Sequence, residues 1–351
     1  MAMWSQLDAA WYTELCNLSR RCRSLGAVMR LLEAADEPAF QALLRTVYGD
    51  TYSYRSLYEP GGVAALVGSG RASLWGDFSE AGELLSHTAF LHKDPRGDYV
   101  ESGMSFRGAD AGRGTSDAVI WERLFLWLHD RCVFMHQSTT TWHPLAQRYA
   151  ERYMRARPTG FIVDYAVDER LVGIPHRDGP MQALTMTSVV RADRVPSPGR
   201  RRLVPRGPWG EWLSGLLGSL GIAVIERAPA EAPGGLGLEE IERNTAVGLL
   251  RRVVVRGGAA PLEAAGEGGG VRTELVHLPC DERMAAFPAL ESAGYVPVGV
   301  RPHATREDEV VLQRLPGGRR REAMEALAAA SLIPRARTLV EGWRATCART
   351  S

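Results

Sequence analysis

Apolar residues recur at helical and at alternating spacings along this chain, and the two periods divide it into helices and strands. Over residues 4–24 the spacing is three and four, and the positions that carry it are Trp4, Leu7, Trp11, Leu15 and Leu18. This pattern predicts an amphipathic helix that packs on the body as an extension. The strand AVMRLL follows it, and a helix opened by Asp36 and Pro38 then runs through AFQALLRTVY.

The segments after this helix predict a meander of antiparallel strands. RASLWGDF, ELLSHTAFLH and YVESGMSF are the predicted strands, and KDPRGD is the turn before the third. A glycine-rich turn leads into a helix of about four turns. The strand VFMHQSTTTW, the helix PLAQRYAERYMRA and the strand TGFIVDYAV complete the first half.

A second run of similar elements begins near Ala183. Its predicted strands are ALTMTSVVRA, TELVHLP, YVPVGVRP and DEVVLQRL, and its predicted helices are PWGEWLSGLLGSLG, ERMAAFPALESAG and RRREAMEALAAASL. The two halves end in the same element order, which favours a duplication. We therefore expect an α/β (α+β) fold with a mixed central sheet flanked by helices in each half. The expected domains are a helical extension (1–26), a first domain (27–180), a second domain (181–316) and a helical tail (317–351).

Composition removes several classes of function. The 42 Lys+Arg residues nearly balance the 41 Asp+Glu residues, and the net charge of +1 argues against a dedicated binder of nucleic acid or of anionic membranes. The 5 cysteines are odd in number and scattered, so they indicate neither a disulfide framework nor a metal site. Because no apolar run resembles a signal peptide or a membrane span, a cytoplasmic protein is expected.

The turn AGRGTS, Ala111 to Ser116, follows a predicted strand and opens a predicted helix. Unpaired N–H groups and the positive end of the helix dipole make such a turn suitable for a phosphate or diphosphate. A plain connection between elements is the alternative. The spacing fits neither the GxGxxG fingerprint nor the GxxxxGK[ST] loop, which argues against Rossmann enzymes and nucleotide kinases.

The strand ESGMSF, this glycine turn and the segment TTTWHPLAQRYAERYMRARPTGF together resemble the GNAT superfamily of acyl-coenzyme A dependent N-acyltransferases. In that family the turn usually has the pattern R/Q-x-x-G-x-G/A. Here the central glycine matches, whereas Ala111 replaces the leading Arg or Gln and Ser116 is the last small residue. Arg107 and Arg113 are candidates to supply the missing positive charge.

The likeness extends over residues 27–316 through further motifs of one bacterial subgroup. VYGDTYSYRSLYEP, LVGSG, LLSHTAF, ESGMSF and HPLAQ...RPTG match its first half, and VHLPCDERMAAFPALESAGYVPVGVRPHATREDEVVLQRL matches its tail. The resemblance implies a tandem GNAT-like fold. The second half looks like a degenerate copy, since it lacks an equivalent of the glycine turn.

The resemblance also implies where a cofactor would bind. The co-substrate would be acetyl-CoA or another acyl-CoA, with no metal. The implied cofactor-binding residues are Met104, Ser105, Phe106, Arg107, Gly112, Arg113, Gly114, Thr115 and Ser116. The acyl arm would lie where the strands on either side of the turn diverge.

Three residues are candidates for the chemistry. The resemblance places Glu101 where many members carry a carboxylate base, and a strand carboxylate that balances an arginine is the alternative. His87 lies in an apolar strand and is a candidate proton relay, although a hydrogen-bonded core residue is the other interpretation. His143 precedes Pro144 at the start of a helix, where helix capping is the alternative.

Other residues are implied for the acceptor and for the leaving thiolate. Tyr52, Tyr54, Tyr58 and Trp142 are the expected acceptor-binding residues, and a satellite packing cluster is the alternative for the three tyrosines. Many GNAT enzymes place a tyrosine as thiolate donor on the helix before RPTG. The matching position here is Glu151, so that donor is missing or displaced.

These observations predict an N-acetyltransferase that moves an acyl group, expected to be acetyl, from coenzyme A to an amine nitrogen of a small metabolite. Two alternatives stay open. One is a transferase that uses aminoacyl-tRNA or a carrier-protein thioester, which the neutral charge disfavours. The other is a noncatalytic acyl-CoA sensor. The expected partner is a small amine, with neither nucleic acid nor membrane, and a homodimer is left open.

Overall fold

The computed structural model describes residues 27–69, 72–91, 99–108, 134–141, 144–153, 156–164, 172, 183–190, 202–224, 226–227, 235–245, 248–262, 271–303, 307–315 and 317–350. These residues form mixed sheets flanked by helices, which confirms the predicted α/β class. The chain divides into two compact units, Met1–Gln137 with Asp168–His176 and Ser138–Val167 with Arg177–Ser351. The predicted domains, 27–180 and 181–316, differ from these units at residues 138–167 and 177–180, and their boundaries stay predictions.

The first unit contains the predicted meander. Its strands are β1 (Ala27–Leu31), β2 (Ala72–Ser79), β3 (Leu84–Leu91), β4 (Tyr99–Arg107) and the start of β5 (Phe134–Thr140). Among the described residues, its helices are α1 (Glu37–Tyr48) and α2 (Gly62–Gly68), with single 3-10 turns at Ala34–Asp36 and Arg55–Tyr58. The helices predicted over residues 4–24 and after the glycine turn lie outside the described residues. Strands β1 to β4 pair in antiparallel order, and β5 then pairs with β4 in parallel.

Helix α1 forms the apolar side of this unit because its sequence carries a stripe of apolar residues. Phe40, Leu43 and Leu44 are buried, and Pro38 lies in the first turn, where a missing N–H costs nothing. The helix ends at Gly49, whose φ of 56° is a conformation that glycine adopts without strain. Its stripe packs on a core of apolar residues from the meander and from α2, namely Leu32, Leu57, Val63, Leu74, Phe78, Leu84, Ala89, Leu91 and Phe106.

The second unit holds the remaining elements. Its strands are β6 (Arg157–Val163), β7 (Ala183–Val190), β8 (Leu203–Val204), β9 (Glu226–Arg227), β10 (Leu236–Asn244), β11 (Leu249–Arg256), β12 (Ala260–Pro261), β13 (Thr273–Pro279), β14 (Tyr295–Arg301) and β15 (Glu309–Arg314). Its helices are α3 (Leu145–Tyr153), α4 (Pro208–Ser219), α5 (Phe287–Ser292), α6 (Gly317–Ala329) and α7 (Pro334–Thr350). Strand order is β7-β6-β14-β15-β13-β11-β10-β12, and β8 pairs with β9 separately.

Two features of the second unit differ from expectation. The strands β10 and β11 were not predicted, because β10 (LGLEEIERN) carries charged residues on both faces and lacks a clean alternation. Glu242 on β10 pairs with Arg251 on β11 at 3.5 Å. The helix expected over ERMAAFPALESAG is a 3-10 segment, Glu282–Ala286, followed by α5, because Pro288 begins a new helix rather than continuing the old one.

A buried glutamine explains part of the HPLAQ motif. Gln147 on α3 is fully buried, and its side-chain amide donates to the carbonyl of Ser331 at 2.8 Å. Its side-chain oxygen accepts from the main-chain N–H of Ile333 at 3.1 Å. Both groups lie between α6 and α7, so this one side chain satisfies the main chain where the last two helices meet. Its role in the described structure is therefore to anchor the C-terminal helices.

Replacing this glutamine is expected to destabilise the second unit. Gln147→Ala leaves a part-buried carbonyl and a buried N–H unpaired, so the free energy of unfolding should fall by about 3 kcal/mol. Chemical denaturation measures this change, and the exposed neighbour Arg148→Ala on the same helix is the matched control. A Gln147→Ala protein as stable as Arg148→Ala would show that this anchor is not needed.

Candidate active site at strand β4

Strand β4 contains a bulge. His87 of β3 is aligned with Phe106 of β4, and Ala89 of β3 is aligned with Gly103, so Met104 and Ser105 together stand opposite the single residue Thr88. Met104 has a φ of 52°, which a non-glycine residue adopts at a cost of roughly 1–2 kcal/mol. A bulge of this kind bends the strand and removes main-chain groups from the ladder. Strain of this type is often found at functional sites.

Pairing on the other side of β4 stops next to the bulge. The parallel ladder between β4 and β5 runs from Tyr99 with Phe134 to Ser102 with Gln137. Beyond Ser102, the described ladder of β4 continues only with β3. Residues Gly103–Phe106 therefore present one strand edge that the described sheet does not cover, and such an edge can pair with an extended ligand that carries amide groups.

Glu101 lies just before this edge. Its side chain is 6% exposed, and it stands opposite Leu91 of β3 and His136 of β5. Side chains that are aligned across neighbouring strands share a face of the sheet, so Glu101, His136 and Phe106 lie on the face that α1 covers. Phe106 is fixed on that face by an edge contact with Phe40 of α1, with ring centres 5.5 Å apart.

Because Gly103 has no side chain, there is free space beside the carboxylate of Glu101. A methyl group added at Gly103 would lie 4.0 Å from Oε1 of Glu101 and 3.9 Å from Cδ1 of Leu91, which are ordinary contact distances. There is thus room for a small group between the carboxylate of Glu101 and the bulge. The structure brings together one predicted residue, Glu101, and a glycine whose role the sequence analysis did not assign.

His87 is a core residue in the described structure. Its ring is 1% exposed and packs against Phe40 and Phe106, with centres 4.8 Å and 5.0 Å away. Its Nδ1 atom lies 2.9 Å from the carbonyl oxygen of Met104, and because a carbonyl only accepts, Nδ1 carries the proton. Burial lowers the pKa of His87 to about 3, although the hydrogen bond to Met104 acts in the opposite direction. A neutral, enclosed imidazole favours the hydrogen-bonded core interpretation over a proton relay.

The tyrosines expected at the acceptor site form an aromatic cluster on the same face of the sheet. Tyr52 is buried, and its ring centre lies 4.8 Å from that of Tyr48, 5.8 Å from that of Tyr54 and 6.4 Å from that of Phe106. The hydroxyl of Tyr58 accepts from the main-chain N–H of Tyr52 at 3.2 Å. The guanidinium of Arg45 lies 5.2 Å from the ring centre of Tyr58, so this tyrosine braces the loop.

The implied cofactor residues fall into two groups. In β4, Ser105 and Arg107 are exposed, Met104 is half-buried, and the Phe106 side chain lies in the core, which leaves only its main chain for a ligand. Gly112, Arg113, Gly114, Thr115 and Ser116 lie outside the described residues, as do His143 and Trp142. Predictions for these seven residues stay predictions.

Besides Gly103, two residues of the site were not predicted from the sequence. His136 is buried beside Glu101 by strand register, and Thr88 faces the bulge; nothing in the local pattern of VFMHQSTTTW or LLSHTAF distinguishes them. At the position of the usual thiolate donor, the carboxylate of Glu151 lies 3.3 Å from the Arg335 guanidinium. That position is therefore occupied by an ion pair.

Comparisons with known proteins give a likeness to N-acetyltransferases. No protein-family model matches the sequence, and no curated protein matches it. Among solved structures, the chain is similar to spermidine N-acetyltransferase from Vibrio cholerae in complex with CoA and spermine, with 11% identity, 47% of this chain and 95% of that chain covered, and a TM-score of 0.35. It is also similar to an N-acetyltransferase from Staphylococcus aureus Mu50, with 11% identity, 47% and 98% coverage and a TM-score of 0.36.

A mutant of spermidine N-acetyltransferase SpeG from Vibrio cholerae gives similar values, with 10% identity, 47% and 93% coverage and a TM-score of 0.36. Identities and TM-scores at this level do not identify a site or a substrate. The proposals below therefore rest on the geometry of this chain. Within the residues that the structure describes, no helix is both long and apolar enough to span a membrane.

The depressed pKa of His87 predicts a pH dependence of stability. In the unfolded chain this imidazole takes up a proton near its ordinary pKa of 6.5, whereas in the folded protein it does so only near 3. The unfolded state therefore binds more protons between these values, and stability falls as pH falls from about 6.5 towards 3, by up to about 1.4 kcal/mol per pH unit.

Unfolding curves at several pH values for the wild-type protein and for His87→Asn measure this contribution. Carboxylates that titrate in the same range are common to both proteins and cancel in the difference. The slope should be shallower in His87→Asn, and equal slopes would show that the buried imidazole does not titrate in this way.

Proposed function

We propose that this protein is a GNAT-type N-acetyltransferase that moves an acetyl group from acetyl-CoA to an amine nitrogen of a small metabolite. The observation that carries the proposal is the bulge of β4 next to the point where the β4–β5 ladder ends, with a buried carboxylate immediately before it. This combination supplies a strand edge, a strained main-chain segment and a proton acceptor within a few residues of one another.

The edge at Gly103–Phe106 suits the pantetheine arm of coenzyme A. That arm is extended and contains two amide groups, which can pair with a strand edge as an additional strand would. The turn Gly112–Gly114 with Arg113 would then hold the diphosphate through its N–H groups and positive charge. In this arrangement the thioester lies near the bulge.

The reaction joins the amine nitrogen to the carbonyl carbon and breaks the bond from that carbon to sulfur. The amine must lose a proton, the carbonyl oxygen must be stabilised as it becomes negative, and the thiolate must receive a proton. Glu101 is proposed as the base, acting directly or through water. The bulge is proposed to direct a main-chain N–H of Met104 or Ser105 at the carbonyl oxygen, since a bulge frees main-chain groups from the ladder.

The acceptor is proposed to lie on the α1 face, between Glu101 and the aromatic cluster. Tyr52 and Tyr54 would line it, whereas Tyr58 supports the loop through Tyr52 and Arg45. The space beside Gly103 admits a small group next to the carboxylate, which is compatible with an unhindered amine. His143 and Trp142 stay candidates from the sequence alone.

Binding and turnover test this function together. We expect calorimetry to give micromolar or tighter binding of acetyl-CoA, and an amine panel to give acetyl transfer. Glu101→Gln should lower kcat by about 100-fold, because it removes the base, while the dissociation constant for acetyl-CoA changes by less than about twofold.

The exposed carboxylate Glu83→Gln, just before β3, is the matched control and should leave both quantities unchanged. Absence of binding at micromolar acetyl-CoA would exclude the proposed donor. Binding without transfer to any amine would favour a sensor, and unchanged turnover in Glu101→Gln would remove this residue from the mechanism.

A further inference from the structure

We propose that His87 and Thr88, which together form a bulge clamp, are positioning residues that hold Met104 and Ser105 in the shape that the transfer reaction needs. The inference rests on the proposed function and extends it to two residues that do not touch the substrate. His87 keeps its Nδ1 proton throughout and transfers none in the reaction. It fixes the main chain to which the thioester carbonyl is bound.

The two clamp residues reach the bulge from opposite faces of the sheet. Consecutive residues of a strand point to opposite faces, so His87 contacts β4 on the α1 face and Thr88 contacts it on the other. On the first face, Nδ1 of His87 donates to the carbonyl of Met104 at 2.9 Å. On the second, the hydroxyls of Thr88 and Ser105 form a hydrogen bond. The clamp therefore substitutes side-chain bonds for the main-chain bonds that the bulge removes.

Met104 needs such support because of its backbone. Among the described residues, only Met104 and Asp164 have a positive φ without being glycine. The strained conformation at Met104 persists only if contacts with neighbouring residues hold it in place. Without such contacts, β4 would relax to a register in which Met104 is not strained. A glycine at position 104 would adopt this φ without strain, but the glycine of this segment is the preceding residue, Gly103.

The ring of His87 is itself immobilised. It packs edge-on against Phe40 of α1, with ring centres 4.8 Å apart, and lies against Phe106 at 5.0 Å. Its Nε2 atom is buried and has no hydrogen-bond partner among the residues that the structure describes. An imidazole enclosed in this way fixes the direction of its Nδ1–H bond, and with it the orientation of the Met104 peptide group.

Two variants separate the donor from the ring. His87→Phe keeps the ring contacts and removes the donor, whereas His87→Asn keeps an N–H near the Nδ1 position and removes the ring. We expect His87→Phe to lower kcat by at least about 10-fold, since a misplaced reacting group lowers the rate steeply, with the dissociation constant for CoA within about twofold of wild type. His87→Asn, which keeps the N–H but loses the ring that fixes its direction, should recover part of this loss and give a kcat clearly above that of His87→Phe.

Thr88→Val removes the second bond and should lower kcat by about threefold. Ser86→Ala is its matched control, because Ser86 lies on the same face of β3 and its hydroxyl has no hydrogen-bond partner among the described residues. Equal kcat in His87→Phe and His87→Asn, or an effect on CoA affinity alone, would overturn the clamp.

A double-mutant cycle, measured by thermal unfolding, tests the clamp without any assay of acetyl transfer. Met104→Gly removes the backbone strain that the clamp is proposed to hold. The decrease in Tm caused by His87→Phe should therefore be smaller in the Met104→Gly background than in the wild-type background. Additive losses would overturn the clamp. If the wild-type protein neither binds acetyl-CoA nor transfers acetyl groups, the proposed function fails, and this cycle alone decides whether His87 holds the bulge.

Discussion

One extra residue in β4 constrains the whole candidate site. Because Met104 and Ser105 stand opposite the single residue Thr88, the register of β4 changes between Gly103 and Phe106. That change keeps both Glu101 and Phe106 on the α1 face, although they are five positions apart and regular alternation would place them on opposite faces. Without the bulge, either the aromatic core under α1 or the buried carboxylate would face the wrong side of the sheet.

Several residues of the sequence motifs have structural roles and take no part in the proposed chemistry. His87 lies in LLSHTAF and Gln147 in HPLAQ, and both satisfy buried main-chain groups. Tyr58 supports a loop through the N–H of Tyr52. These side chains hold the backbone in place, and Glu101 alone among the described candidates has both the burial and the location for a base. The proposed chemistry therefore depends on one carboxylate and on the main chain of the bulge, whereas most of the motif side chains stabilise the fold.

Periodicity in the sequence predicted the elements that bury one face. The strands RASLWGDF and ELLSHTAFLH and the helix through AFQALLRTVY lie within one or two residues of β2, β3 and α1. Charged β10 lacked that signal, and the contact from Gln147 to Ser331 crosses 184 positions, a distance at which local pattern gives no information. The bulge was also beyond prediction, because it is a property of register between two strands. For the same reason His87 was a candidate relay until its partner at Met104 was known.

The edge of β4 beyond Ser102 is proposed to receive the arm of acyl-CoA. Amide hydrogen exchange, resolved by residue with and without acetyl-CoA, tests this proposal most directly, because pairing with the arm would protect main-chain N–H groups there. Exchange within Gly103–Phe106 should slow by at least about 10-fold on addition of acetyl-CoA, while Tyr99–Ser102, already paired with β5, should change little. Unchanged exchange at Gly103–Phe106 under saturating acetyl-CoA would contradict the proposal.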